Sequence, residues 1–226
     1  MDCRQTLNLP PQGWRIAALG LLLAVNGALT GCALVQQTHS TAQHQATGLK
    51  AGDLERAGVA FITPSTVTGQ EEEKQAVALI FAQVVREERP SARLVTLPET
   101  LSAVNRGGLA DSYKAMYDDY RYTGIFNRDL LRKVGEVTGA RYAAQLKLQG
   151  FDQGAKGRFG TFGLRLVETK HANIRLFLQI WDTTDGTIVW EGVQELNYSE
   201  EALSEKTITL RTVVEKAAHE LIVHLP

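Results

Sequence analysis

The sequence predicts an α/β fold: a single domain built on a mixed β-sheet with helices packed on it, after a cleaved signal and a flexible tether. Three observations carry this reading. An apolar run at residues 16–25 precedes a polar stretch without periodicity. Helical stripes and short apolar runs then alternate as far as Gly139. From residue 141 apolar residues recur at every second position, the period of a half-buried strand, until a last striped helix closes the chain. Helices gathered on one face of the sheet are expected. The chain divides into residues 1–31 as signal, 32–56 as tether and 57–226 as the folded domain.

Residues 1–15 are mostly polar, with Arg4 and Arg15 as positive charges, and IAALGLLLAV follows. A positive segment, an apolar core of roughly 7–15 residues and small residues at the cut describe a secretory signal. The run is too short to cross a bilayer, which takes roughly 18 apolar residues or more. A buried helix fits poorly, because Asn26, Gly27 and Gly31 interrupt it and glycine costs about 1 kcal/mol in a helix interior. The small residues of Thr30-Gly31-Cys32-Ala33 also suit an ordinary secretory cut. Cysteine directly after Leu29-Thr30-Gly31 reads as a lipobox, with cleavage before Cys32 and a diacylglycerol thioether on its sulfur. Cys3 lies in the removed part and Cys32 is acylated, so neither cysteine is left for a disulfide. One acyl chain anchors weakly and several bind nearly permanently. The pattern of bacterial lipoproteins implies three chains on Cys32, and Ala33 after it implies the outer membrane.

The tether ALVQQTHSTAQHQATGLKAGDLER lacks the apolar surface needed to order itself. Its roughly 22 residues span about 75 Å fully extended. Val59-Ala60-Phe61-Ile62 is a short strand ended by Thr63-Pro64. Residues 71–88 form a helix, since Val77, Ile80, Phe81, Val84 and Val85 make an i, i+3, i+4 stripe and Glu71, Glu72 and Glu73 favour its positive end. Leu94-Val95-Thr96-Leu97 is a second strand, and Pro98 opens a helix over 99–105 stopped by Gly107-Gly108. Residues 109–120 are helical. Asn127 caps a helix over 128–138 that ends at Gly139.

Residues 141–151 alternate, with Tyr142, Ala144, Leu146 and Leu148 on one face; 172–182 alternate with Ile174, Leu176, Leu178 and Ile180. Asp182-Thr183-Thr184-Asp185-Gly186 is a turn returning into a strand over 187–196. The closing helix is expected over 201–224, with the stripe Leu210, Val213, Val214, Ala217, Ala218, Leu221, Ile222 and Leu225.

Charge excludes some partners. The chain has net charge −1 and a hydrophobic fraction of 44%, ordinary for a globular domain. Cleavage removes Arg4, Arg15 and Asp2, so the remainder is slightly more acidic. Nothing favours nucleic acid or a polybasic attachment to membranes.

As a series of elements the chain resembles the CsgG-like, LpoB-like and TolB N-terminal-like group of envelope proteins. The likeness starts with the strand–helix pair over 59–88 and is strongest over 127–197. There FNRDLLRKVGEVTGA leads into RYAAQLKLQGF, a glycine-rich crossing, and a strand ending LQIWDTTDGTIVW before the closing helix. The resemblance implies a CsgG/TolB-N-like α/β fold, no catalysis, and a place among envelope assemblies. The pore-forming member needs two amphipathic hairpins per subunit, and here only residues 151–173 supply one.

Several stretches invite chemistry. Gly154, Gly157, Gly160 and Gly163 stand among Lys156, Arg158 and Arg165, but phosphate-binding spacing is missing and strands flank both sides. A loose hairpin tip over 151–165 is expected, with Phe159 and Phe162 as exposed apolar groups. Asp182 to Gly186 resembles a calcium loop, yet Glu191 falls at position 10 where an EF-hand needs position 12. His39 and His44 read as solvated tether residues. His219 and His224 stand five apart, wrong for a shared metal. In YKAMYDDYRY, over 113–122, Tyr113, Met116, Tyr117 and Tyr120 form a stripe toward the sheet, and Arg121 and Tyr122 fall outside it.

The expectation is therefore a non-catalytic lipoprotein at the periplasmic face of the outer membrane that binds and assists another envelope protein. Candidate contact residues are Arg121, Tyr122, Phe159 and Phe162. No cofactor is expected beyond the lipid on Cys32, and no metal. An export component of the curli-pore type, oligomeric on the membrane, is the alternative, and an envelope hydrolase a further one.

Overall fold

In the computed structural model, which describes residues 36–158, 167–202 and 208–226, the two halves of the chain pair their strands differently. In the first half, after the long edge strand β1 (Gln36–Ala46), the strands are short: β2 (Val59–Phe61), β3 (Ser65–Thr66) and β4 (Leu94–Val95). In the second they are long: β5 (Tyr142–Arg158), β6 (Val167–Asp182) and β7 (Ile188–Ala202). β2 runs parallel to both β4 and β5, whereas β5, β6 and β7 are antiparallel neighbours. With β1 (Gln36–Ala46) on the outer side of β7, they make one seven-stranded mixed sheet in the order β1-β7-β6-β5-β2-β4, β3 pairing with β5. The helices are α1 (Asp53–Ala57), α2 (Glu71–Glu88), α3 (Leu97–Arg106), α4 (Ala110–Thr123), α5 (Arg128–Thr138) and α6 (Leu210–Val223).

The helices sit where their stripes send them. Val77, Ile80, Phe81, Val84 and Val85 of α2 and Val213, Val214, Ala217, Ala218, Leu221 and Ile222 of α6 are buried. They join Leu146, Leu148, Leu176, Leu178 and Ile180 in one apolar core. The Asn127 side chain accepts hydrogen bonds from the amides of Asp129 and Leu130, and Gly139 takes the left-handed conformation after α5 at φ 66°. α3 starts at Leu97, with Thr96 as its cap and the Glu99 carboxylate accepting from the Thr96 amide at 2.7 Å.

The structure corrects the sequence reading at four places. Helices cover both faces of the sheet. A second core gathers Ile62, Val104, Tyr113, Met116, Phe126, Leu131, Val134, Ala143 and Trp181. Polar Gln145, Lys147, Arg175 and Gln179 dominate that face in sequence and hide its short apolar end. The tether reading fails from Gln36 onward: β1 pairs with β7 in register from Gln36↔Glu200 to Ala46↔Trp190. An edge strand held by its backbone ladder needs no apolar face, so its composition reads as tether. Leu49 and Leu54, both buried, then tie the following turn and α1 to the core.

The closing helix begins at Leu210, not 201, because the alternation of Leu196 and Tyr198 carries β7 on to Ala202. Thr209 caps it by accepting from the Thr212 amide. Residues 151–158, expected to belong to a loose tip, are paired strand instead, and residues 159–165 of that expectation lie outside the described residues. β5 and β6 stay paired through Gly154↔His171 and Gly157↔Glu168 to Arg158↔Val167, with one irregularity between Gln149 and Phe151. Glycine gives up side-chain packing there but not its ladder hydrogen bonds, and β7 supports β6 from the other side.

Candidate functional site

α4 crosses the end of the sheet on an aromatic layer. The Tyr120 and Phe126 rings stack at 4.1 Å, and Phe126 meets Trp181 edge-on at 5.1 Å. Met116 is fully enclosed. The layer has polar handles. The Tyr117 hydroxyl donates to Gln145 Oε1 at 2.9 Å, the Tyr120 hydroxyl to Gln179 Oε1 at 3.2 Å, and the Thr63 amide to the Tyr113 hydroxyl at 2.8 Å. Burial pushes all three phenols above their ordinary values, Tyr117 the furthest. They therefore stay neutral, and Tyr117 and Tyr120 keep the protons they donate to the sheet. The stripe packs on the sheet as its spacing predicts.

α4 runs a turn beyond the expected boundary, so Arg121 and Tyr122 lie in its last turn. Both are exposed, Tyr122 at 89%. Gly124 reverses the chain, and Ile125 follows at 64% exposure. Arg121, Tyr122 and Ile125 are thus exposed side chains close in sequence to the buried aromatic layer of Tyr120 and Phe126. The sequence singled out Arg121 and Tyr122, both exposed in the structure, and did not single out Ile125. A lone isoleucine between Gly124 and Phe126 carries no period, so only the turn geometry shows that it faces outward. The other two candidate contact residues, Phe159 and Phe162, and the lipidation motif Leu29-Thr30-Gly31-Cys32 lie outside the described residues.

Past α4 the same sheet face is open. Gln43, Gln45, Phe177, Gln179, Glu191 and Val193 line a shallow groove of about 290 Å³. In register, Lys147, Phe177, Val193 and Gln43 form one row across four strands. The Gln179 amide donates to Glu191 at 3.3 Å, so the row beside it is tied to Tyr120. Arg175 and Glu195 pair across the strands one row further. On the helical side, Leu79, 62% exposed, borders a groove of about 450 Å³ between α2 and α3.

The turn over Asp182–Gly186 is occupied by its own chain. Arg141 donates to Asp182 Oδ2 through Nε at 3.0 Å and Nη2 at 2.7 Å, and the Thr184 amide donates to Oδ1 at 2.9 Å. Burial works against the Asp182 charge, but Arg141 and the Thr184 amide outweigh it and hold the carboxyl below its ordinary value. Asp185 accepts from the Thr187 amide at 2.9 Å. α5 approaches the turn so closely that a Cβ on Gly135 would lie 2.2 Å from Thr183 Oγ1.

The histidines separate. His219 pairs with Glu88 at 2.9 Å. His44, expected as a solvated tether residue, stacks on His224 with ring centroids 4.5 Å apart, fastening β1 to the end of α6. Among the described residues no helix is long and apolar enough to cross a membrane.

No family model matches the chain, and no curated protein matches it. Among solved structures it is similar to the PelC dodecamer from Paraburkholderia phytofirmans, with TM-score 0.45 and 11% identity over 81% of this chain and 95% of that one. It is also similar to lipoprotein GNA1162 from Neisseria meningitidis, with TM-score 0.34 and 9% identity over 73% of this chain and 96% of that one.

Proposed function

We propose that the chain is a non-catalytic lipoprotein, held by lipid on Cys32 at the periplasmic face of the outer membrane, that binds and assists another envelope protein. The observation that carries this is Leu29-Thr30-Gly31-Cys32 closing an apolar run of signal length. The resemblance of the element series to the CsgG-like group supports the same reading. The surface for the partner is formed by Arg121, Tyr122 and Ile125, where two large exposed apolar groups and an exposed cation lie within five residues of one another.

Two experiments test it. Cys32→Ser is expected to leave an unprocessed or soluble form that takes up no labelled palmitate, and uptake that persists overturns the anchor. A photo-crosslinking residue in place of Tyr122 is expected to capture one envelope protein in living cells, while the same residue in place of Lys133, exposed on α5, does not. Equal capture from both positions overturns the partner surface.

The export reading has one observation in its favour. β1 pairs on one side only among the described strands, so its outer edge offers an eleven-residue row of backbone groups to a second copy. Mass measurement of the lipidated protein in detergent separates the two readings: a ring of many copies supports export, and a monomer or a complex with one other protein supports the assisting role.

A further inference from the structure

The ladder of the antiparallel half places four residues at one level of the sheet. Gln36 faces Glu200 across β1 and β7, Glu200 faces Lys170, and Lys170 faces Ala155. Past that level β5 and β6 continue together for three more pairs, Lys156↔Thr169, Gly157↔Glu168 and Arg158↔Val167, roughly 10 Å of strand. The start of β1 and the far end of the β5–β6 hairpin therefore point the same way. The turn over Asp182–Gly186 lies at the other end, beyond Ala46↔Trp190.

Chain length adds the second fact. Only Ala33, Leu34 and Val35 separate Cys32 from the first residue of β1. Four steps of chain reach roughly 14 Å at most, far short of the reach of a long tether. That distance is comparable to the roughly 10 Å by which the described pairs of β5 and β6 outrun Gln36.

We infer that the end of the sheet marked by Gln36, Glu200 and Lys170 rests against the phospholipid bilayer. The strands stand steeply on the membrane and the Asp182–Gly186 turn is held farthest from it. The inference rests on the lipid-anchor reading and adds an orientation to it. A short leash fixed at one end of a long edge strand keeps that end at the headgroups. The paired strands β5 and β6, which run past Gln36 on the same side, face the headgroups with it. In this pose the Arg121–Tyr122–Ile125 patch is free to face the periplasm.

The test uses the cysteine inventory. With Cys3 removed and Cys32 blocked as a thioether, an introduced cysteine is the only free thiol. The full-length lipidated protein is labelled with a fluorophore at Gln37→Cys, Gln45→Cys or Thr184→Cys, all exposed positions. It is then placed in phosphatidylethanolamine–phosphatidylglycerol vesicles containing headgroup-spin-labelled lipid. Gln45 lies roughly 26 Å along β1 from Gln37, so quenching at Gln37 is expected to exceed that at Gln45 and Thr184 by about threefold or more. Ser199→Cys, paired with Gln37 across the ladder, reports the same level should Gln37→Cys disturb folding. Equal quenching at Gln37 and Gln45 overturns the orientation and lays β1 along the membrane; stronger quenching at Thr184 inverts it. Intact mass on the same samples separates the two claims. A diacylglyceryl mass with the wrong quenching pattern defeats the orientation alone, and no lipid mass defeats the anchor and the orientation with it.

Discussion

The two faces of the sheet are closed in different ways. On one, α2 and α6 press an unbroken set of buried aliphatic residues onto Leu146, Leu176, Leu178 and Ile180. On the other, α4 and α5 cover only the strand ends near Ala143 and Trp181, and α4 fastens itself through tyrosine hydroxyls to Gln145 and Gln179. The difference teaches how the two faces divide stability from positional order. Apolar burial is non-directional and large, so the fully clad face carries the stability. Hydroxyl–amide hydrogen bonds add little net energy but fix direction. They hold the rim of the half-open face in one position, as the proposed partner surface requires.

The largest expected effect lies on the clad face. Leu221 is fully buried between α6 and the sheet, and Leu221→Ala is expected to cost about 2–5 kcal/mol in a denaturant titration. A change near zero would make α6 peripheral and end the contrast between the faces.

The next effect lies where the sheet turns at its end. Asp182 is buried and its carboxyl is held below its ordinary value against the burial that opposes it. The folded state therefore binds this proton less readily than the unfolded chain. The stabilisation is complete above the unfolded carboxylate value and is lost as pH falls through the lower folded one. With Arg141 half exposed, Asp182→Asn is expected to cost about 1–2 kcal/mol at neutral pH and to flatten the acid limb of stability against pH. An acid limb as steep as that of the parent protein would remove Asp182 as its source.

On the half-open face the expected losses are smaller. Tyr117→Phe takes the donor from Gln145, which is itself buried, and is expected to cost about 1 kcal/mol. A loss as large as that of Leu221→Ala would show that the polar handles carry stability after all. Smallest of all, Tyr122→Ser with Ile125→Ser is expected to move stability by no more than about 0.5 kcal/mol, since both side chains are mostly exposed, while abolishing crosslinking to the partner. A clear loss of stability would turn the patch into packing.

How much of this was legible follows from which forces leave a period. α2 and α6 were readable because burial on one side of a helix repeats every 3.6 residues. α5 was readable from Asn127 and Gly139, whose side-chain and backbone chemistry are local. The Asp182–Gly186 turn was readable for the same reason. β1 was not. Gln36–Ala46 lies on the sheet edge with nearly every described side chain exposed, and its ladder is made by backbone that any residue supplies. β3, two residues long, leaves no period at all. In the contact patch, Arg121 and Tyr122 were found by exclusion from a stripe, while Ile125 depended on a reversal at Gly124.

By itself the sequence determined the α/β class, the helices whose apolar faces recur, and the caps and turns. Each is written in side chains within a few residues of one another. Only the tertiary structure decided that helices lie on both faces of the sheet, that a polar stretch becomes its edge strand, and that the paired strands β5 and β6 run on past the start of β1. Those depend on residues as far apart as Gln36 and Glu200 meeting through backbone hydrogen bonds, which have the same chemistry at every position and leave no mark in the order of the side chains.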